Sequence, residues 1–514
     1  MNDDSSNVFP SAGLGDLGQA AEFADIDIAG MEDTVKNRWK ETPVLSDLKL
    51  PYLQSSALGN PPHNNQQQQQ RETQYSVPAH NTQNDFFSAP ETPVSTWDSL
   101  IALGLEEPMP SQDVIEELNQ IYFEKIHPNA PIFHRPRFLM AMQNSLPSLR
   151  PSVSLQYAIW TNAASWSERY ESLHEHFYTR ARHYLERDEM TGQGEAMVNI
   201  ATVQAWFLVS LYEFKTMKFP RAWMSVGRMC RLSQMMGLHR VDGGMLDVKQ
   251  CLYPPRDWIE KEERRRTFWM SFCQDRFASI GTGWPMMIEE QDITTNLPAS
   301  DEAFERGIPE DTISIRQAME AGGAASLTAQ GGTILLAAMF GRNLHHLHRP
   351  SPNDHDVSLN GPFWKRHREL DDILLNTALA LPERLRIPFG LNDTNVVFVN
   401  MCLHTSTICL HQAAIFKAET NKVPAKISIE SKIRCITAAQ EIAQIMKLAS
   451  HQDLSSVSST WYNRLVFILL THRNRHTLLP ASASTSQLES LSNISSLVRG
   501  MTWSNHPSVS SSPP

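Results

Sequence analysis

Beyond residue 110 apolar side chains recur three or four positions apart, the period of an amphipathic helix, and the two-residue alternation of strands is nearly absent. Ile115, Leu118, Tyr122 and Ile126 set the pattern, with Asp113 near the start of their helix and Pro128 after its end. Further helices are predicted near 154–187, 196–217, 220–236, 258–280, 326–348, 362–381, 394–418 and 427–449, and another over 461–471. This predicts an all-α fold, one large domain of antiparallel and stacked helices over 111–475. Periodicity lapses in the flanks, 1–110 and the Ser-rich 476–514, whose composition is that of disorder.

Residues 258–298 carry the most information. Acid-before-base spacing of four residues, Glu260 to Arg264 and Glu262 to Arg266, supports a helix. Phe268, Trp269, Phe272, Cys273, Phe277 and Ile280 give it one broad apolar stripe that needs a partner surface. Gly281 and Gly283 end it, Pro285 keeps the chain from re-entering a helix, and an acid-bearing extended loop runs through Asp292 to Leu297 and Pro298. Upstream, Pro220 suits a first helical turn; Trp223, Val226, Cys230 and Ser233 share a face; Gly237 suits a left-handed cap from which Leu238 packs back.

These segments carry a resemblance. ERRRTFW (263–269), DRFAS (275–279) and TGWPMMIEEQDITTNLP (282–298) resemble, in residues and order, the fungal-specific transcription factor domain, the regulatory region of binuclear zinc-cluster regulators. RAWMSVGRMCRLSQMMGLHRVD (221–242) is similar to that family's signature helix and its Gly-Leu-His ending, and IYFEKIHPNAPIFHRPRFL (121–139) to its first element. The resemblance covers about 113–470. It implies a nuclear, non-enzymatic regulator of RNA polymerase II genes, of carbon use or a secondary-metabolite cluster, with the transcription machinery or coactivators as partners. A homodimer or a zinc-cluster partner is also implied. The matched positions Trp223, Gly237, Leu238, His239, Phe268, Trp269, Asp275, Arg276, Gly283, Pro285, Asp292, Leu297 and Pro298 are then expected to serve structure. The family's six-cysteine DNA reader is not carried over, because no cysteine precedes Cys230; zinc is expected only with an upstream cysteine cluster.

Charge sharpens this division. Of 56 Asp and Glu and 45 Lys and Arg, residues 1–110 hold 16 and 5, so the head carries the whole net charge of −11 and the body is neutral. A duplex reader needs a concentrated basic face, so this chain alone does not support DNA contact. Residues 14–35 interleave Leu14, Leu17, Phe23, Ile26, Ile28 and Met31 with six acidic residues; they read as an activation segment or as an acidic linker without a partner. Arg221, Arg228 and Arg231 are read as solvated or ion-paired. The triple arginine Arg264, Arg265 and Arg266 is kept as a candidate nuclear-import or partner patch.

Other chemistry fares poorly. Gly13, Gly15 and Gly18 have dinucleotide-loop spacing, but no strand feeds them. Cys402, His404, Cys409 and His411 sit on a helix that turns the histidines about 200° from the cysteines, which separates the ligands. His345, His346 and His348 are expected to be ordinary polar residues near a helix end, and Asp275 with Arg276 a structural pair. No metal, cofactor or catalytic residue is expected. Six sparse cysteines, no leader-like start and no long apolar run suggest a soluble protein of a reducing compartment. A metabolite-binding or enzymatic helical protein is the alternative reading, and a bare helix-bundle scaffold the third.

Overall fold

The computed structural model describes residues 109–243, 251–348, 358–421 and 423–449, and among them every regular element is helical. Thirteen α-helices follow in order: α1 Gln112–Lys125, α2 Arg135–Met142, α3 Val153–Ala164, α4 His174–Met190, α5 Ile200–Lys215, α6 Phe219–Met235, α7 Trp258–Thr282, α8 Asp301–Arg306, α9 Ile315–Met319, α10 Ala329–His348, α11 Pro362–Ala380, α12 Thr394–Thr420 and α13 Ala425–Ala449. The helix expected over 461–471 and both flanks lie outside the described residues.

Local chemistry explains the boundaries. Asn199 and Asp257 accept from Thr202 N (2.9 Å) and Glu260 N (2.8 Å), which satisfies donors that α5 and α7 cannot pair internally. At the other ends, Gly237 after α6 and Gly283 after α7 take left-handed φ values of +70° and +74°, where a Cβ would be strained. Pro220 sits in the first turn of α6, as its fixed φ and missing N–H favour.

The single helix expected over 154–187 is two helices, broken between Ala164 and His174. Lys215 Nζ donates to Ser165 O at 2.6 Å, so a half-buried lysine satisfies a terminal carbonyl of α3 that a continuing helix would have paired. Three short helices, α2, α8 and α9, escape the periodic reading because 5 to 8 residues are too few to show a face.

One large core runs through the body, and α7 lies within it, touching α5, α6 and α10. From Arg265 to Ile280 every residue of α7 is buried. The expected single apolar stripe is therefore a helix enclosed on all sides, whose polar residues must be satisfied inside the protein. Helix α12 is similarly enclosed by α10, α11 and α13. Phe363 and Trp364 of α11 pack there on Ala413, Ala414 and Ala418 as a second, smaller cluster.

Candidate functional site: the charged clamp on α7

The first half of α7 would be an ordinary charged helix were it not buried. Glu262 and Arg266 expose none of their side chains, and Arg265 exposes 4%. Glu262 accepts from Arg266 Nε at 3.0 Å, from Ala299 N at 2.9 Å and from Arg265 Nη1. Arg266 also donates to Asp301 (2.6 Å), Ala299 O (2.8 Å) and Pro131 O (3.3 Å), and its guanidinium lies 4.3 Å from the Phe304 ring centroid. Arg265 forks onto Asp242 at 3.0 and 2.7 Å. Burial works against ionisation of Asp242, but hydrogen bonds from Arg265 and Lys261 prevail and bring its carboxyl to about 2.

This overturns the surface reading of the triple arginine. Arg265 and Arg266 are internal, and Arg264 is held by Glu260 at 2.6 Å with 12% of its side chain exposed. As an import or partner patch the triplet is inaccessible; buried ion pairing is its structural role. Asp275 and Arg276 form a buried ion pair at 2.6 Å. Burial opposes charge on both, while Met287 N (3.1 Å), Ile288 N (3.2 Å) and Arg276 itself donate to the carboxylate.

The clamp brings together the segments that stand apart in the sequence. His239 O, just past the left-handed Gly237, accepts from Thr294 N (2.9 Å) and Thr295 N (3.1 Å). Thr295 Oγ1 donates to Leu238 O at 2.8 Å and accepts from Val241 N at 2.9 Å. Trp269 Nε1 donates to Asn296 O at 2.6 Å, and Leu297 N to Ile313 O at 2.8 Å. From the first block, Pro131 O meets Arg266, and His134 N donates to Glu263 at 2.9 Å. Burial pushes the Glu263 carboxyl up to about 7, against that donation. All three blocks thus converge on the first half of α7.

The remaining matched residues divide by burial. Leu238, Phe268, Trp269, Leu297 and Pro298 are buried; Trp223 is half-buried, 4.9 Å edge-to-face from Trp284; Gly283, Pro285 and Asp292 are exposed and shape the turn. Sequence reasoning misses Asp242, Thr294 and Thr295. Asp242 closes the signature-helix block and differs from a surface acid only through the fold, while the threonines look like loop filler.

His346, His367 and His411 are likewise buried. His346 of α10 is no ordinary helix-end side chain: it stacks on Phe363 at 4.3 Å, beside His367. His411 meets Asp371 at 3.3 Å, and Cys402 and Cys409 are fully buried in α12. Burial drives the His367 imidazole down to about 3. Among the described residues no group of three or more His, Cys, Asp or Glu is arranged to hold a metal ion, and no helix is long and apolar enough to cross a membrane.

The charged residues of α7 bind one another and the backbone inside an all-helical body, which gives them a structural role. Comparison with known proteins places it further: residues 120–328 match the family model of the fungal specific transcription factor domain, and the chain belongs to this family. Its relatives include the pigment biosynthesis transcriptional activator of Monascus ruber, 33% identical over 64% of this chain and 59% of the relative. The citrinin biosynthesis transcriptional activator of the same organism is 31% identical over 73% of this chain and 71% of that protein. The azaphilone cluster-specific transcription factor of Aspergillus niger is 31% identical over 53% and 59%. The chain thus spans roughly three fifths to seven tenths of these relatives. No solved structure matches. The family and the named relatives are transcription factors, not enzymes.

Proposed function

We propose that this protein regulates RNA polymerase II transcription in the nucleus and that its targets are genes of a secondary-metabolite cluster. The observation that supports this best is the convergence of the three blocks on α7, within the residues 120–328 that match the family model. In this reading the helical body is the control region. Residues 14–35, with apolar and acidic side chains interleaved, recruit coactivators. DNA contact comes through a zinc-cluster module, carried either by a partner protein or upstream of Met1, and not through the arginines of α7.

Fusion of residues 1–110 to a heterologous DNA-binding domain tests the activation role. Reporter output well above that of the DNA-binding domain alone is expected. An inert fusion removes the activation role and leaves residues 14–35 as an acidic linker.

A further inference from the structure

The acidic residues that open α7 are unequally provided for. Asp257 takes both Nη atoms of Arg137, at 3.2 and 2.6 Å. Glu260 takes Arg256 at 2.8 Å and Arg264 at 2.6 Å, and Glu262 is shared by Arg265 and Arg266. Glu263, half-buried on the same helix, pairs with no cation: its hydrogen bond is the one from His134 N, at 2.9 Å. Arg137, the cation that acts on it, is held by Asp257. A carboxyl so placed is hard to ionise, because burial strips its water and Glu260 and Asp257 repel it, while His134 N and Arg137 offset only part of the cost.

The segment seated on Glu263 belongs to the first family block. His134 accepts from Arg137 N at 3.2 Å as the cap of α2, its Nε2 lies 3.1 Å from Glu305 O, and its ring stands edge-on to Phe304 at 5.4 Å. One residue therefore joins α2, α7 and α8. Its imidazole titrates with the opposite sign: burial, then Arg137, lower it, against the Glu305 carbonyl and the Glu305 and Asp257 carboxylates. Acid favours opening through His134, and base favours it through Glu263.

We propose that Glu263 and His134 form a proton-dependent joint: the first block stays seated on α7 and α8 while Glu263 carries a proton and loosens as Glu263 ionises, so that the helical body responds to pH at this one place. Glu263 titrates at about 7 when seated and at an ordinary 4.5 once exposed, so opening becomes more favourable as pH rises between those values. Asp257 maintains the joint by keeping Arg137 from Glu263. The inference is independent of the transcriptional reading, and its test does not depend on activity.

Amide exchange of the full chain, corrected for intrinsic rates, tests this at about pH 6 and pH 8 in the parent and in Glu263→Gln, which keeps an acceptor for His134 N and removes the titration. Peptides spanning 132–142 are expected to exchange faster than α3 and α5. The ratio of the parent's opening to the variant's should rise about tenfold between the two pH values, as a change from 4.5 to about 7 requires; the contribution of His134 cancels in this ratio. Asp257→Asn still caps α7 and frees Arg137 for Glu263, so in that background the same step should shrink to about twofold. A flat ratio, an undiminished step in Asp257→Asn, or exchange over 132–142 no faster than in α3 and α5 overturns the proposal. The last outcome means that the block comes off only when the whole body unfolds.

Discussion

Arg266 and Glu262 face each other one turn apart on α7, joined at 3.0 Å with neither side chain exposed. Such a pair need not stabilise more than an apolar pair would, because both ions were taken out of water. Its importance is conditional: Arg265 and Arg266 share this one carboxylate, and each has a second acid partner, Asp242 and Asp301 respectively. Replacing Glu262 by Gln keeps the shape but removes the buried charge the two arginines share, leaving Asp242 and Asp301 as their acid partners, and a loss of about 1–3 kcal/mol is expected. Urea unfolding of the full chain measures this. A loss below about 1 kcal/mol means that the buried pair is not what holds residues 299–301 on α7.

Thr295→Val tests the joint between the two signature blocks. The hydroxyl both donates to Leu238 O and accepts from Val241 N, so a methyl of similar volume leaves two backbone groups without their partner. A cost of about 1–3 kcal/mol follows for buried groups. Thr294→Val is the control, since its exposed side chain is replaceable and only its backbone joins the clamp.

Gly341 of α10 passes so close to α7 that a Cβ there would lie 2.7 Å from Arg276 Nε. Arg276 is fixed by Asp275 and by Ile288 O and cannot retreat freely. Gly341→Ala should therefore destabilise the body by about 1–3 kcal/mol through overpacking, despite the higher helix propensity of alanine. Thermal unfolding checks the sign.

Two groups give opposite pH signatures. Glu263 has a folded pKa of about 7, raised from an ordinary 4.5, so the folded state holds its proton more tightly than the unfolded chain. Its ionisation costs stability as pH rises from about 4.5 to 7. Glu263→Gln should be more stable than the parent at pH 8 and equal to it below pH 4.5. His367 has a folded value of about 3, lowered from 6.5, so the unfolded chain binds the extra proton and stability falls as pH drops below 6.5. His367→Phe should flatten that acid limb. Denaturation midpoints of both variants between about pH 4 and 8 decide; parallel curves contradict the assignments.

The long helices are legible because twelve or more residues repeat a face often enough to be read, and because glycines such as Gly237 and Gly283 mark their ends. The pairing of Asp275 with Arg276 is legible from adjacency. The burial of Arg265 and Arg266 is not, since acid-before-base spacing is the same on a solvated helix as on one enclosed by three others. Only the long-range partners Asp242, Ala299 and Asp301 distinguish the two cases, and none lies within a helical turn of the arginines. The break at Ser165 is hidden for the same reason: its determinant, Lys215, is fifty residues away.

Whether this body serves a working transcription regulator is decided by chromatin immunoprecipitation of the full-length tagged protein from its own host. Occupancy upstream of a set of neighbouring biosynthetic genes is expected. A protein found at no promoter would not be a transcription regulator.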